Sequence, residues 1–100
     1  DHGANEGVGG YGSFNLNVRS IGAGGLPRPA YTIQEEGRIV INITVDPKGN
    51  VIFAEVGRGT NIDNASMRKS ALDAARKAKF NSISGANNQS GTITYVYKFK

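Results

Sequence analysis

The sequence predicts an α+β fold: a small antiparallel sheet of three core strands plus an extra N-terminal strand, with one main α-helix packed on one face. Three observations predict it. Apolar and polar residues alternate with a period of two in several short runs, the pattern of half-buried strands. A turn sequence, Asp46-Pro47-Lys48-Gly49, joins two of those runs. One later stretch carries its apolar residues at spacings of three and four instead, the pattern of a helix lying on a sheet. A single helix covering one face of a small sheet is the economical packing for these elements.

The elements follow in chain order. Residues 1–13 have no apolar periodicity, and more than half of the fourteen glycines fall before residue 26. This opening reads as a glycine-rich linker. Its Gly7-Val8-Gly9-Gly10-Tyr11-Gly12 run superficially resembles a phosphate-binding loop, but it neither follows a strand nor opens a helix, as such loops must. Phe14, Leu16 and Val18 then alternate with Asn15, Asn17 and Arg19, predicting a strand over 14–21. Gly22-Ala23-Gly24-Gly25 interrupts it. Pro27 and Pro29 force the next residues into an extended arm.

Ile39, Ile41, Ile43 and Val45 share one face of the clearest strand, 38–45, whose β-branched residues suit a pleated surface. In the turn that follows, Asp46 suits the first position, Pro47 presets φ at the second, and Gly49 can take the left-handed conformation. The return strand, 50–56, alternates imperfectly, with Val51 out of phase with Ala54 and Val56. One extra residue near Ile52 and Phe53 puts all three on the core face, so a β-bulge is expected there. Residues 57–61 read as a loop. Asp63 or Asn64 offers an N-cap for a helix running to about Phe80. Met67, Ala71, Ala74, Ala75 and Ala78 form its apolar stripe, and their small size brings the helix axis close to the sheet. After a polar loop, a final strand is expected over 92–99, with Ile93, Tyr95, Tyr97 and Phe99 on one face.

Composition excludes most chemistry. The chain has no cysteine and one histidine, His2, within the linker, so thiolate chemistry, Ser–His catalysis and a zinc site have no ligands or base in the folded part. Glu35 and Glu36 are adjacent and point to opposite faces if extended, Asp46 belongs to the turn, and Asp63 is a cap candidate. No enzyme activity and no cofactor are expected. No run approaches the roughly 20 apolar residues of a membrane span. Charge is uneven: residues 1–57 carry four basic and six acidic side chains, and 58–100 carry eight basic and two acidic. Tyr95, Tyr97 and Phe99 beside lysines could suggest base stacking, but their alternation describes a core face better, and the basic helix residues read as a solvated face. Nucleic acid is not expected as a partner. Recognition by backbone remains: a strand at the edge of an open sheet can receive a partner chain as an additional strand.

Several segments in order resemble one family. Pro29-Ala30-Tyr31, the run from Glu36-Gly37-Arg38 through Val45-Asp46-Pro47-Lys48-Gly49-Asn50-Val51, Ile62-Asp63, Ala71-Leu72-Asp73-Ala74-Ala75-Arg76-Lys77-Ala78-Lys79-Phe80, and Gly91-Thr92-Ile93-Thr94-Tyr95-Val96-Tyr97-Lys98-Phe99 look like the TonB C-terminal domain over roughly 27–100, in a Bacteroidetes-like style. The chain departs from the family in its Pro-Ala-Tyr opening, in Asn81 after Phe80, and in leaving only 32–35 for the helix that usually precedes the hairpin. The extra strand at 14–21 is a further departure.

The resemblance implies a periplasmic domain of an energy transducer anchored in the inner membrane, linked to a proton-motive complex through an N-terminal part not contained in this sequence. It also implies binding of the TonB box of TonB-dependent outer-membrane receptors by strand addition on the final strand, here Thr92, Ile93, Thr94, Tyr95, Val96, Tyr97, Lys98 and Phe99. The strand at 14–21 raises two further expectations: it could fill that edge itself, or pair with a second copy in a homodimer. The alternative reading is a structural, self-associating TolA-like or TonB-like module that binds no receptor peptide.

Overall fold

A computed structural model describes residues 4–6, 12–15, 26–27, 33–82, 85 and 87–99. Its elements are β1 (Ala4–Glu6), β2 (Gly12–Asn15), β3 (Gly37–Val45), β4 (Val51–Val56), α1 (Ala65–Arg76) and β5 (Gln89–Tyr97). They form one sheet in the order β1-β2-β5-β3-β4 with every neighbouring pair antiparallel. The α+β class expected from the sequence is therefore the observed one. Of residues 1–13, read as linker, Ala4–Glu6 and Gly12–Ser13 run as strand. Of the strand expected over 14–21, residues 14 and 15 lie in β2, which starts at Gly12; residues 16–21 lie outside the described ones.

The β3–β4 hairpin forms because its turn satisfies itself. The Asp46 carboxylate accepts the Asn50 N–H at 2.8 Å, the Asp46 carbonyl accepts the Gly49 N–H at 2.9 Å, and the Asn50 carbonyl accepts the Asp46 N–H at 2.9 Å. The Asn50 N–H leads the interactions that hold the Asp46 carboxyl below its ordinary range. Gly49 adopts φ +93°, as the turn requires of a glycine. The expected bulge is present: Thr44 faces Phe53 while Val45 faces Val51, which leaves Ile52 as the extra residue. Val51, Ala54 and Val56 consequently pack against the core, and Ile52 and Phe53 are both exposed.

Ile39, Ile41, Ile43 and Val45 from β3 and Ile93, Tyr95 and Tyr97 from β5 bury one face of the sheet. Helix α1 covers this face over β3 and β4 with Met67, Ala71, Ala74 and Ala75. Asn64 caps it, its side-chain oxygen accepting the Met67 N–H at 2.9 Å, so of the two N-cap candidates Asn64 is used. Asp63 instead donates its N–H to Glu35 at 3.1 Å. On the exposed side of the helix, Asp73 bridges Lys69 and Arg76.

Two expected boundaries move. The helix ends at Arg76 rather than near Phe80. The Lys77 and Ala78 N–H groups reach back only three residues, to Ala74 and Ala75, tightening the last turn. Lys79 then bridges Asn50, and the Phe80 N–H donates to the Gly49 carbonyl at 2.9 Å. Phe80 is buried in the core, and its N–H, given to Gly49, is not available to a helical carbonyl. The last strand spans Gln89–Tyr97 rather than 92–99. β3 begins at Gly37 opposite Tyr97, so Phe99 has no residue of β3 to face. Its N–H goes to the Glu36 carboxylate at 2.7 Å, and its ring is exposed rather than in the core.

The buried phenols are unequal. The Tyr95 hydroxyl donates to the Pro27 carbonyl at 2.9 Å, anchoring the extended arm whose Leu26 is in the core. The Tyr97 hydroxyl is buried without a hydrogen-bond partner among the described residues. Burial raises both pKa values, that of Tyr97 to about 12, with the Tyr97 charge adding to the effect of burial at Tyr95.

Three measurements check this account. Ile41→Ala, at a fully buried site, is expected to cost about 2–5 kcal/mol in urea unfolding. Gly49→Ala should destabilise by more than about 1 kcal/mol, because φ is positive and the new Cβ would collide with the Phe80 carbonyl. Raising pH should weaken the fold: the unfolded tyrosines ionise near their ordinary 10.0 while folded Tyr97 holds its proton to about 12. The unfolded state then binds fewer protons, so stability is full below that ordinary value and falls as pH rises toward the folded one. The urea midpoint followed across that window should drop less in Tyr97→Phe than in the parent chain.

Candidate partner-binding edge

The candidate site is a row of backbone groups, so its geometry follows from the direction each residue's N–H and C=O take. In an antiparallel ladder both groups of one residue point to the same side, and successive residues alternate. Arg38 and Val40 settle the parity for β3. The Arg38 N–H donates to the Asn61 side chain at 2.7 Å and its carbonyl accepts the Asn61 N–H at 3.0 Å. The Val40 N–H donates to the Thr60 hydroxyl at 2.9 Å and its carbonyl accepts the Gly57 N–H at 2.7 Å. Even-numbered residues of β3 therefore turn away from β5, and Ile39, Ile41 and Ile43 turn toward it.

The uninterrupted register pairs Ile39 with Tyr95, Ile41 with Ile93 and Ile43 with Gly91. These residues of β5 are committed to β3. Ser90, Thr92, Thr94 and Val96 consequently direct their N–H and C=O groups to the opposite side of β5. That side is the candidate edge, and it is partly filled: β2 pairs there, with Ser13 opposite Thr94 and Asn15 opposite Thr92. By the same parity, Ser13 and Asn15 point their backbone groups at β5, whereas Gly12 and Phe14 point theirs at β1.

The eight residues expected to bind a partner thus divide into three sets. Ile93, Tyr95 and Tyr97 lie in the core through their side chains and on β3 through their backbones. Thr92, Thr94 and Val96 hold the outward backbone groups, with side chains on the face away from α1; Val96 is 42% exposed. Lys98 and Phe99 lie past the end of the strand, both exposed. Among the described residues the β2 register stops at Tyr95, leaving Val96 beyond it. An open depression of about 330 Å³ lies at this end, lined by Glu36, Gly37, Arg38, Val96, Tyr97 and Lys98.

The side of β3 away from β5 is closed differently. β4 ends at Val56 opposite Ile41, and the loop residues Gly57, Thr60 and Asn61 satisfy the β3 groups beyond that point. Their role was not read from the sequence; glycine and short polar residues after a strand were a loop signal and carried no mark of what they would bond. Among the described residues no cluster of three or more histidine, cysteine, aspartate or glutamate side chains could hold a metal ion, and no described helix is long and apolar enough to cross a membrane. The arrangement offers backbone hydrogen bonding along one strand edge.

No curated protein and no solved structure matches the chain. The family described as the Gram-negative bacterial TonB protein C-terminal matches residues 26–100. That span holds β3, β4, α1 and β5 and leaves β1 and β2 outside it. With the hairpin, the helix and the final strand all inside the match, the chain belongs to the TonB C-terminal domain family.

Proposed function

We propose that this domain is the receptor-binding end of a TonB-type energy transducer in the periplasm, taking the TonB box of outer-membrane receptors as an added strand along Thr92–Phe99 and coupling inner-membrane energy to transport. The observation that carries this reading is the pairing of β2 on β5. A segment from outside the family-matched region lies in antiparallel register against that edge of the family core, so the edge has the geometry to accept a strand. A bound strand of about six residues gains roughly 0.5–1.5 kcal/mol net per hydrogen bond, less the cost of ordering it. That is weak to moderate affinity, as a transient mechanical link needs.

The same pairing favours a second reading, self-association through β2 supplied by another copy. Sedimentation across a concentration range separates the two, since only self-association makes the mass concentration-dependent.

Amide shifts of the labelled domain titrated with synthetic TonB-box peptides test the first reading. Shifts are expected along Thr92–Phe99. Val96→Pro should weaken binding about tenfold or more, because proline removes an outward donor at the edge. The lost N–H is not one that faces β3, so the core strands should keep their amide protection. Unaltered peptide affinity in this variant would sink the assignment to this edge.

A further inference from the structure

We propose that the N-terminal hairpin, β1 with β2, is a resident competitor for the receptor-binding edge, which an incoming receptor strand must displace. This inference rests on the receptor reading above and adds how that site is regulated.

Two observations carry it. First, β2 uses the groups a partner strand would use. Thr92 and Thr94 direct their backbone groups outward, and β2 sets Asn15 and Ser13 against them. A second strand cannot bond the same N–H and C=O groups while β2 is there. Second, the hairpin is an addition to the family core. The match begins at residue 26, while β1 and β2 end at Asn15. β5 already has a full partner in β3, opposite every residue from Gln89 to Tyr97.

The competition is intramolecular. Ten residues, 16–25, separate Asn15 from Leu26, and a short tether holds a segment at an effective concentration on the order of millimolar. A weakly pairing strand at that concentration competes well against a receptor peptide in solution. The apparent affinity for the peptide is reduced by the fraction of molecules whose edge is free.

The test uses the full chain with single prolines in β2. Ser13→Pro and Asn15→Pro each delete an N–H that faces β5 and leave β5 itself unaltered. Hydrogen exchange without peptide should show faster exchange at Thr94 in Ser13→Pro and at Thr92 in Asn15→Pro, while Ile39 and Ile41 stay protected and report an intact core. Synthetic TonB-box peptides should then bind both variants about tenfold more tightly than the parent chain, as expected when a mostly occupied edge is freed. Equal affinity in parent and variants, with exchange at Thr92 and Thr94 accelerated, would overturn the competition and leave receptor binding standing. Unchanged exchange at Thr92 and Thr94 would show that β2 does not hold the edge and would overturn the inference directly. Peptide binding to none of the three proteins, with the exchange changes as expected, would overturn the receptor reading, and the competition with it.

Discussion

The pairing of β3 with β5 is the constraint on which the rest of this domain depends. The two strands are far apart in sequence, yet they run in uninterrupted register from Gly37 opposite Tyr97 to Val45 opposite Gln89. This pairing places Ile39, Ile41 and Ile43 beside Tyr95, Ile93 and Gly91 on one continuous apolar face. A one-residue slip would turn every one of those side chains to solvent, so the register is strongly held. Helix α1 packs on the face this register creates, and the alanine stripe brings it near. The loop at Gly57–Asn61 closes the β3 groups that β4 is too short to reach.

The same register sets the functional geometry. Because odd-numbered residues of β5 are committed to β3, even-numbered ones face outward, and the candidate site follows from a ladder formed for stability. An edge made this way needs no special side chains, since Thr92, Thr94 and Val96 supply N–H and C=O groups that every non-proline residue has.

Two departures from expectation have a common cause. The alanine periodicity supports a helix to Phe80, but the Phe80 N–H is donated to Gly49 and its ring is buried in the core, where a continued helix would have held that N–H. Alternation supports a strand to Phe99, but β3 has no residue left to pair with it, and Glu36 takes its N–H instead. In both places a local pattern continued past the point where its tertiary partner ended. The bulge at Ile52 went the other way: Val51 out of phase with Ala54 and Val56 was a local sign of a register shift, and the shift is there.

The sequence by itself determined the three core strands, the hairpin turn, the cap at Asn64 within one residue, the core stripe and the family, because each of these is written in side-chain type and spacing; β1, within a glycine-rich stretch without alternation, left no such mark. It could not determine the order of the strands or which backbone groups remain outward. Those depend on N–H and C=O groups, which are the same in every non-proline residue and leave no trace in the side-chain pattern. Phe14 signalled a strand near it, but its alternation with Asn15 was equally compatible with any neighbour. Only the tertiary structure placed β2 on β5, with Ser13 and Asn15 against Thr94 and Thr92, because the parity that turns those groups outward is set by β3, half a chain away.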